Sequence, residues 1–117
     1  MQYLEEVRNF KPVKLEYNLL YGCPKLKTID LSELTETGTS CLNGCNALEN
    51  IILPKIQKIG ETSFSCSNNG VNKNRTLIDI GPDCVEIKAQ AFRYNDYVTT
   101  LIVRATTPPT LANVNAF

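Results

Sequence analysis

The sequence predicts a β-rich α/β chain wound as a right-handed solenoid of about five stacked coils with a parallel sheet, and three observations lead there. First, a step of 22 residues links Leu4, Leu26 and Leu48, and again Val7, Ile29 and Ile51, then Leu15, Thr37 and Ile59, then Leu20, Leu42 and Phe64. A fixed period of this kind means that each unit has an apolar face it cannot bury alone, so neighbouring units stack on one continuous core. Second, apolar residues inside a unit stand two apart, as at Ile51 and Leu53, the spacing of a strand whose alternate side chains face inward. Third, Pro54 and Gly60 stand where a strand must stop and a corner must turn.

The coil from Leu42 to Ser63 is the most regular. Leu48, Ile51 and Leu53 make a first extended stretch that Pro54 ends; Ile56 and Ile59 make a second; Gly60 reads as a corner with positive φ; a turn around Ser63 to Cys66 closes the unit. The coil before it has Leu20, Cys23, Leu26, Ile29, Leu31, Leu34 and Gly38 in the same order. The coil after it is longer, since Phe92 follows Phe64 by 28 residues. Aligning Leu77 with Leu48 reads this as seven residues inserted before Leu77 and one deleted before Pro82. The stretch from Ser67 to Arg75 is rich in Asn and Gly and is expected to project into solvent as a loop. The last coil has Phe92, Val98, Leu101 and Val103, and Ala116-Phe117 repeats Ala91-Phe92 and Ser63-Phe64. Parallel strands are therefore expected near 27 to 31, 49 to 53, 77 to 80 and 99 to 103, with little α-helix.

Composition fits one small domain spanning 1–117: the chain has 117 residues, 43% apolar and 21% charged, enough for one core and not two. Twelve basic residues balance twelve acidic ones with no basic stripe, so nucleic acid is not an expected partner. The longest apolar runs, around Ile51 to Leu53 and Leu101 to Val103, fall far short of the ~20 residues of a membrane span. The acidic start, Met1 to Glu6, is not a signal peptide as it stands, so localisation is not written in the chain itself.

The pattern Leu-x-x-Ile-x-Leu-Pro-x-Ile-x-x-Ile-Gly-x-x-x-Phe, from Leu48 to Phe64, resembles the BspA-type leucine-rich repeat. The closing Arg104-Ala105-Thr106-Thr107-Pro108-Pro109 looks like the tail of such arrays in anaerobic bacteria of the gut and mouth. The resemblance covers nearly the whole chain and departs most in the first coil and the insertion. It implies a parallel β-solenoid, usually on cell-surface or secreted proteins, with roles in adhesion and protein binding. Fold alone does not give function.

The five cysteines invite a metal or redox reading, but each sits where its coil wants a small or apolar inward group. Cys23, Cys45 and Cys66 fall in nearly one column, Cys41 shares a column with Ser63 and Ala91, and Cys84 replaces Ile56. A ladder of buried free thiols, behaving as small hydrophobes, is the expectation. Zinc needs converging close pairs, and Cys41-x-x-x-Cys45 in a chain without His is a poor candidate, so no metal and no cofactor are expected. Disulfides between stacked columns are within geometric reach; an odd count would still leave one thiol free. Without His, a phosphate loop or a nucleophile elbow, the chain is not expected to be an enzyme. Asp30 and Asp79 fall in corresponding strands but are separated by a coil with Ile52 or Asn50 at that place, which argues against a carboxylate pair. Asn74-Arg75-Thr76 matches a loosely defined glycosylation sequon and carries little weight.

Two functions remain. The first is a protein- or glycan-binding module using the outward strand positions Lys27, Thr28, Asp30, Glu49, Asn50, Ile52, Asp79, Thr100 and Ile102, or the loop positions Asn68, Asn69, Gly70, Asn72, Lys73, Asn74 and Arg75. The second is a structural spacer with no specific ligand face. An apolar patch on the strands would favour binding and an evenly charged face the spacer. With register running from Leu4 to Phe117 and no room for a cap, the chain reads as a fragment of a longer array that associates end to end. Tyr3, Val7 and Phe10 are expected to fold over the first core layer.

Overall fold

A computed structural model describes residues 2–66, 72–111 and 115–117. Eight short strands are defined among them: β1 Lys14–Leu15, β2 Glu36–Thr37, β3 Ile51–Leu53, β4 Lys58–Ile59, β5 Leu77–Ile80, β6 Glu86–Ile87, β7 Thr100–Val103 and β8 Thr110–Leu111. They form two parallel sheets, a five-stranded one in the order β1-β2-β4-β6-β8 and a three-stranded one in the order β3-β5-β7. Five strands in one sheet correspond to about four full turns, rather than five coils.

A third side of each turn closes without strands. Here Leu20, Leu42, Phe64 and Phe92 donate their N–H groups to the carbonyls of Cys41, Ser63, Ala91 and Ala116, at 2.8–3.0 Å. Asn18, Ser40, Thr62 and Gln90 sit on this side with φ between 52° and 58°. A left-handed residue in every turn breaks any helical run, and the described residues contain no helix, so the α/β expectation is corrected to an all-strand solenoid.

The inward columns are the core. Leu15, Thr37, Ile59 and Ile87 line the five-stranded sheet, Ile51 and Ile78 with Leu53 and Ile80 the three-stranded one, and all are buried. Phe64, Phe92 and Phe117 stack with near-parallel rings, centroids 5.4 Å and 5.2 Å apart. On the last turn the inward residues Leu101, Val103, Leu111 and Phe117 remain 41–48% exposed. On the first, Leu4 and Val7 pack against the core as expected of Val7, whereas Tyr3 and Phe10 stay exposed.

Several expectations change. The strand near 27 to 31 reduces to one bridge between Glu6 and Thr28, because β3 is the edge of its sheet and no ladder joins 49–53 to this stretch. Gly60 is not left-handed; among the described residues only Gly22 and Gly44 of the glycines are. Gly60 is needed for close approach instead, since a Cβ there would run into the Thr37 carbonyl oxygen and come within 2.8 Å of the Gly38 carbonyl carbon. Its N–H donates to Thr37 Oγ1, which donates to Ser63 Oγ, which donates back to the Gly60 carbonyl, so the one hydroxyl in that strand column is fully engaged.

The long turn is also re-registered. Ile51 pairs with Ile78 and Leu53 with Ile80, so Leu48 corresponds to Arg75 and not to Leu77. The bonds Leu26 N–H to Cys23, Leu48 to Cys45, Arg75 to Asn72 and Val98 to Asn95 mark the same turn in four coils. The extra residues are thus five before Asn72, with one more between Ile80 and Glu86, where Lys58 pairs with Glu86. Cys66 likewise belongs with Gly22 and Gly44, whose N–H groups make the equivalent bonds to the next coil, rather than with Cys23 and Cys45.

Candidate functional site

The outward rows follow from the parallel register. On the three-stranded sheet Ile52, Asp79 and Ile102 lie side by side, and Leu77 and Thr100 form the row before them. Strands ~4.8 Å apart bring such neighbours into contact. Ile52 is 52% exposed, and Leu77, Asp79 and Ile102 are partly so. Asp79 is held by Arg104 through two parallel bonds, Nε to Oδ1 at 2.8 Å and Nη2 to Oδ2 at 2.9 Å. The hydrogen bond from Arg104 holds the Asp79 carboxyl below its usual value.

Two of the predicted face residues have local work. Asn50 Oδ1 accepts from the N–H groups of Thr76 and Leu77, and Asp30 is engaged with Ser32 and, at 3.8 Å, with Lys11. Hydrogen bonds from the Ser32 hydroxyl and N–H lower the Asp30 carboxyl. Lys27, Thr28, Glu49 and Thr100 are exposed around the central row. Of the two residues the sequence offers, Ile52 and not Asn50 stands directly beside Asp79, and Asp79 takes an arginine as its partner.

The five-stranded sheet presents a different surface. Lys14, Glu36, Lys58 and Glu86 succeed one another across paired strands, and Lys14 reaches Glu36 at 3.3 Å. Alternating charges in register neutralise one another. The row therefore presents no net field to a charged ligand.

The predicted loop divides. Asn68, Asn69 and Gly70 lie outside the described residues, and Lys73 and Asn74 are exposed. Asn72 and Arg75, expected in solvent, are buried, only 6% and 2% exposed. Arg75 Nε donates to the carbonyls of Leu48 and Glu49, Nη1 to the Phe64 carbonyl, Cys66 Sγ and Asn95 Oδ1, and Nη2 to the carbonyls of Cys45 and Leu48. Burial lowers the arginine's affinity for its proton, partly opposed by the nearby thiols. The signal for this placement was present in the sequence: Arg75-x-x-Ile78-x-Ile80 repeats the spacing of Leu48-x-x-Ile51-x-Leu53.

All five cysteines are buried with free thiols, and burial pushes those of Cys41 and Cys45 up to about 12. Such thiols are inert packing groups. The BspA type leucine rich repeat region model matches residues 11–99 with six copies. The chain belongs to this family. No curated protein and no solved structure matches it. Membership of the repeat family accords with a binding or scaffold module, and among the described residues no helix is long and apolar enough to cross a membrane.

Proposed function

We propose that this BspA-type repeat is a non-enzymatic module that binds a protein partner on the outward face of β3, β5 and β7. The observation that carries the reading is the register that gathers Ile52, Leu77 and Ile102 around the Asp79–Arg104 pair. Exposed aliphatic groups grouped on a rigid sheet favour contact, and a carboxylate already paired with arginine at their centre adds direction at a smaller desolvation cost than a lone charge would. Lys27, Thr28, Glu49, Asn50 and Thr100 would make the polar rim. Lys73 and Asn74, exposed at the stem of the insertion, belong to the same reading. The side chains of the central rows are aliphatic rather than aromatic, which favours protein over carbohydrate. By its family resemblance we place the module on a cell surface or in secreted form. The spacer reading draws on the self-neutralised row of the five-stranded sheet.

Panning a displayed random-peptide library on the folded chain tests this. Selected binders should lose binding to Ile52→Ser and Ile102→Ser and keep it to Lys58→Ala. Binders indifferent to the strand-face changes, or no enrichment over an unrelated scaffold, would leave the spacer.

A further inference from the structure

We infer that Arg75 is the positioning residue that lets one turn carry five extra residues, by supplying from a side chain coil-to-coil bonds of the kind that backbone supplies at the first and last junctions of its column. The inference holds whichever surface binds a partner. Its starting point is the column: Leu4, Leu26, Leu48, Arg75 and Val98 occupy equivalent places, and four of the five are apolar. A guanidinium in such a place is costly unless every N–H finds an acceptor. Here Arg75 finds them in three successive turns, at Cys45, Leu48 and Glu49 in one, Phe64 in the next and Asn95 Oδ1 in the third, the last at 2.7 Å.

The backbone explains why. At the residue after this column, Lys27 N–H donates to the Glu5 carbonyl at 2.8 Å and Thr99 N–H to the Thr76 carbonyl at 2.9 Å. At the insertion the equivalent pair is Glu49 and Thr76, and both groups turn to side chains. Thr76 N–H donates to Asn50 Oδ1 at 2.9 Å, and the Glu49 carbonyl accepts from Arg75 Nε at 3.3 Å. Asn72 adds a bond from its Nδ2 to the Leu48 carbonyl, and Asn95 Nδ2 donates to the carbonyls of Phe64 and Phe92. The turn that accommodates the insertion is thus held by side-chain amides and one guanidinium, where the first and last junctions of the column use an apolar residue and a backbone bond.

Deleting residues 67–71 returns Cys66-Asn72 to the position of Gly44-Cys45 and restores the 22-residue spacing, which gives the test. In the full chain Arg75→Leu should lower Tm by about 10 °C. In the deletion chain the same change should leave Tm unchanged or raise it, because leucine is then the residue the column calls for. Equal losses in the two backgrounds overturn the inference, as does a deletion chain that folds with neither residue. Amide exchange in the full chain gives a second readout: Arg75→Leu should speed exchange at Thr76 and Leu77 at least tenfold more than at Thr99, with part of the protection returned by Arg75→Lys. Equal acceleration at both levels would mean that Arg75 serves only general stability.

Discussion

Gly60→Ala is expected to be among the most damaging small substitutions in the chain, although it adds a single methyl group. The added Cβ would lie 2.8 Å from the Gly38 carbonyl carbon and closer still to the Thr37 carbonyl oxygen, both backbone of the previous turn. Relief requires the two turns to part by roughly half an ångström or more, since interior atoms at ordinary density leave no slack. The bonds crossing that junction have little length to spare: Gly60 N–H to Thr37 Oγ1 at 2.8 Å, and Gln57 and Lys58 N–H to the Thr35 carbonyl at 2.7 and 3.2 Å. Stretching three such bonds toward or past their limit costs about 1 kcal/mol each, and the smaller unfolded-state entropy of alanine returns about 0.5 kcal/mol. The net is about 2–3 kcal/mol, or about 10 °C in Tm for a chain of this size. Gly22→Ala is the control: its Cβ would meet nothing within 4 Å, and with φ at +68° it should cost about 1 kcal/mol through backbone strain alone. Urea unfolding of the two variants measures both. A midpoint loss for Gly60→Ala no larger than for Gly22→Ala would refute the close-approach argument.

Two further outcomes follow from the thiols and the charged row. The Cys41 and Cys45 thiols are pushed up to about 12 by burial, whereas an unfolded cysteine ionises near about 8.5. The unfolded chain then binds fewer protons than the folded one above that point, so stability is intact below about pH 8.5 and declines as pH rises toward 12. Urea midpoints measured from pH 7 to 10 should fall only above pH 8.5, and a flat profile would contradict the burial. Lys58→Glu sets a third carboxylate between Glu36 and Glu86 on neighbouring strands, so its melting temperature should drop by a few degrees at low salt and recover near 1 M salt; a salt-independent loss would point to packing instead.

The columns were legible because stacking leaves them no freedom. A 22-residue step with Ile51-x-Leu53 inside it fixes which side chains point inward, and Leu26, Leu48, Ile59 and Phe64 are buried where that step places them. The outward positions Ile52 and Asp79 were legible as outward, but which residue lies beside Asp79 was left between Ile52 and Asn50 until the register paired it with Ile52. What the chain did with its polar groups was less legible. The composition of Ser67 to Arg75 does not distinguish a solvent-facing asparagine from Asn72; for Arg75 the Arg75-x-x-Ile78-x-Ile80 spacing carried a signal, and pairing of Ile78 with Ile51 puts that arginine in a leucine column.

The sequence by itself therefore determined the repeat, its period and its apolar columns, because burial of periodic nonpolar side chains depends on spacing alone. The tertiary structure decided the rest: the absence of helix among the described residues, the single bridge at Thr28 in place of a strand near 27 to 31, the Asp79–Arg104 pair and the buried guanidinium. The last two turn on where a side-chain donor finds its acceptor in a neighbouring turn, 25 residues away for Arg104 and Asp79 and 30 for Arg75 Nη2 and the Cys45 carbonyl. Hydrogen bonds are directional and exclusive, so a residue's polar partner is set by three-dimensional register, which no spacing rule along one chain contains.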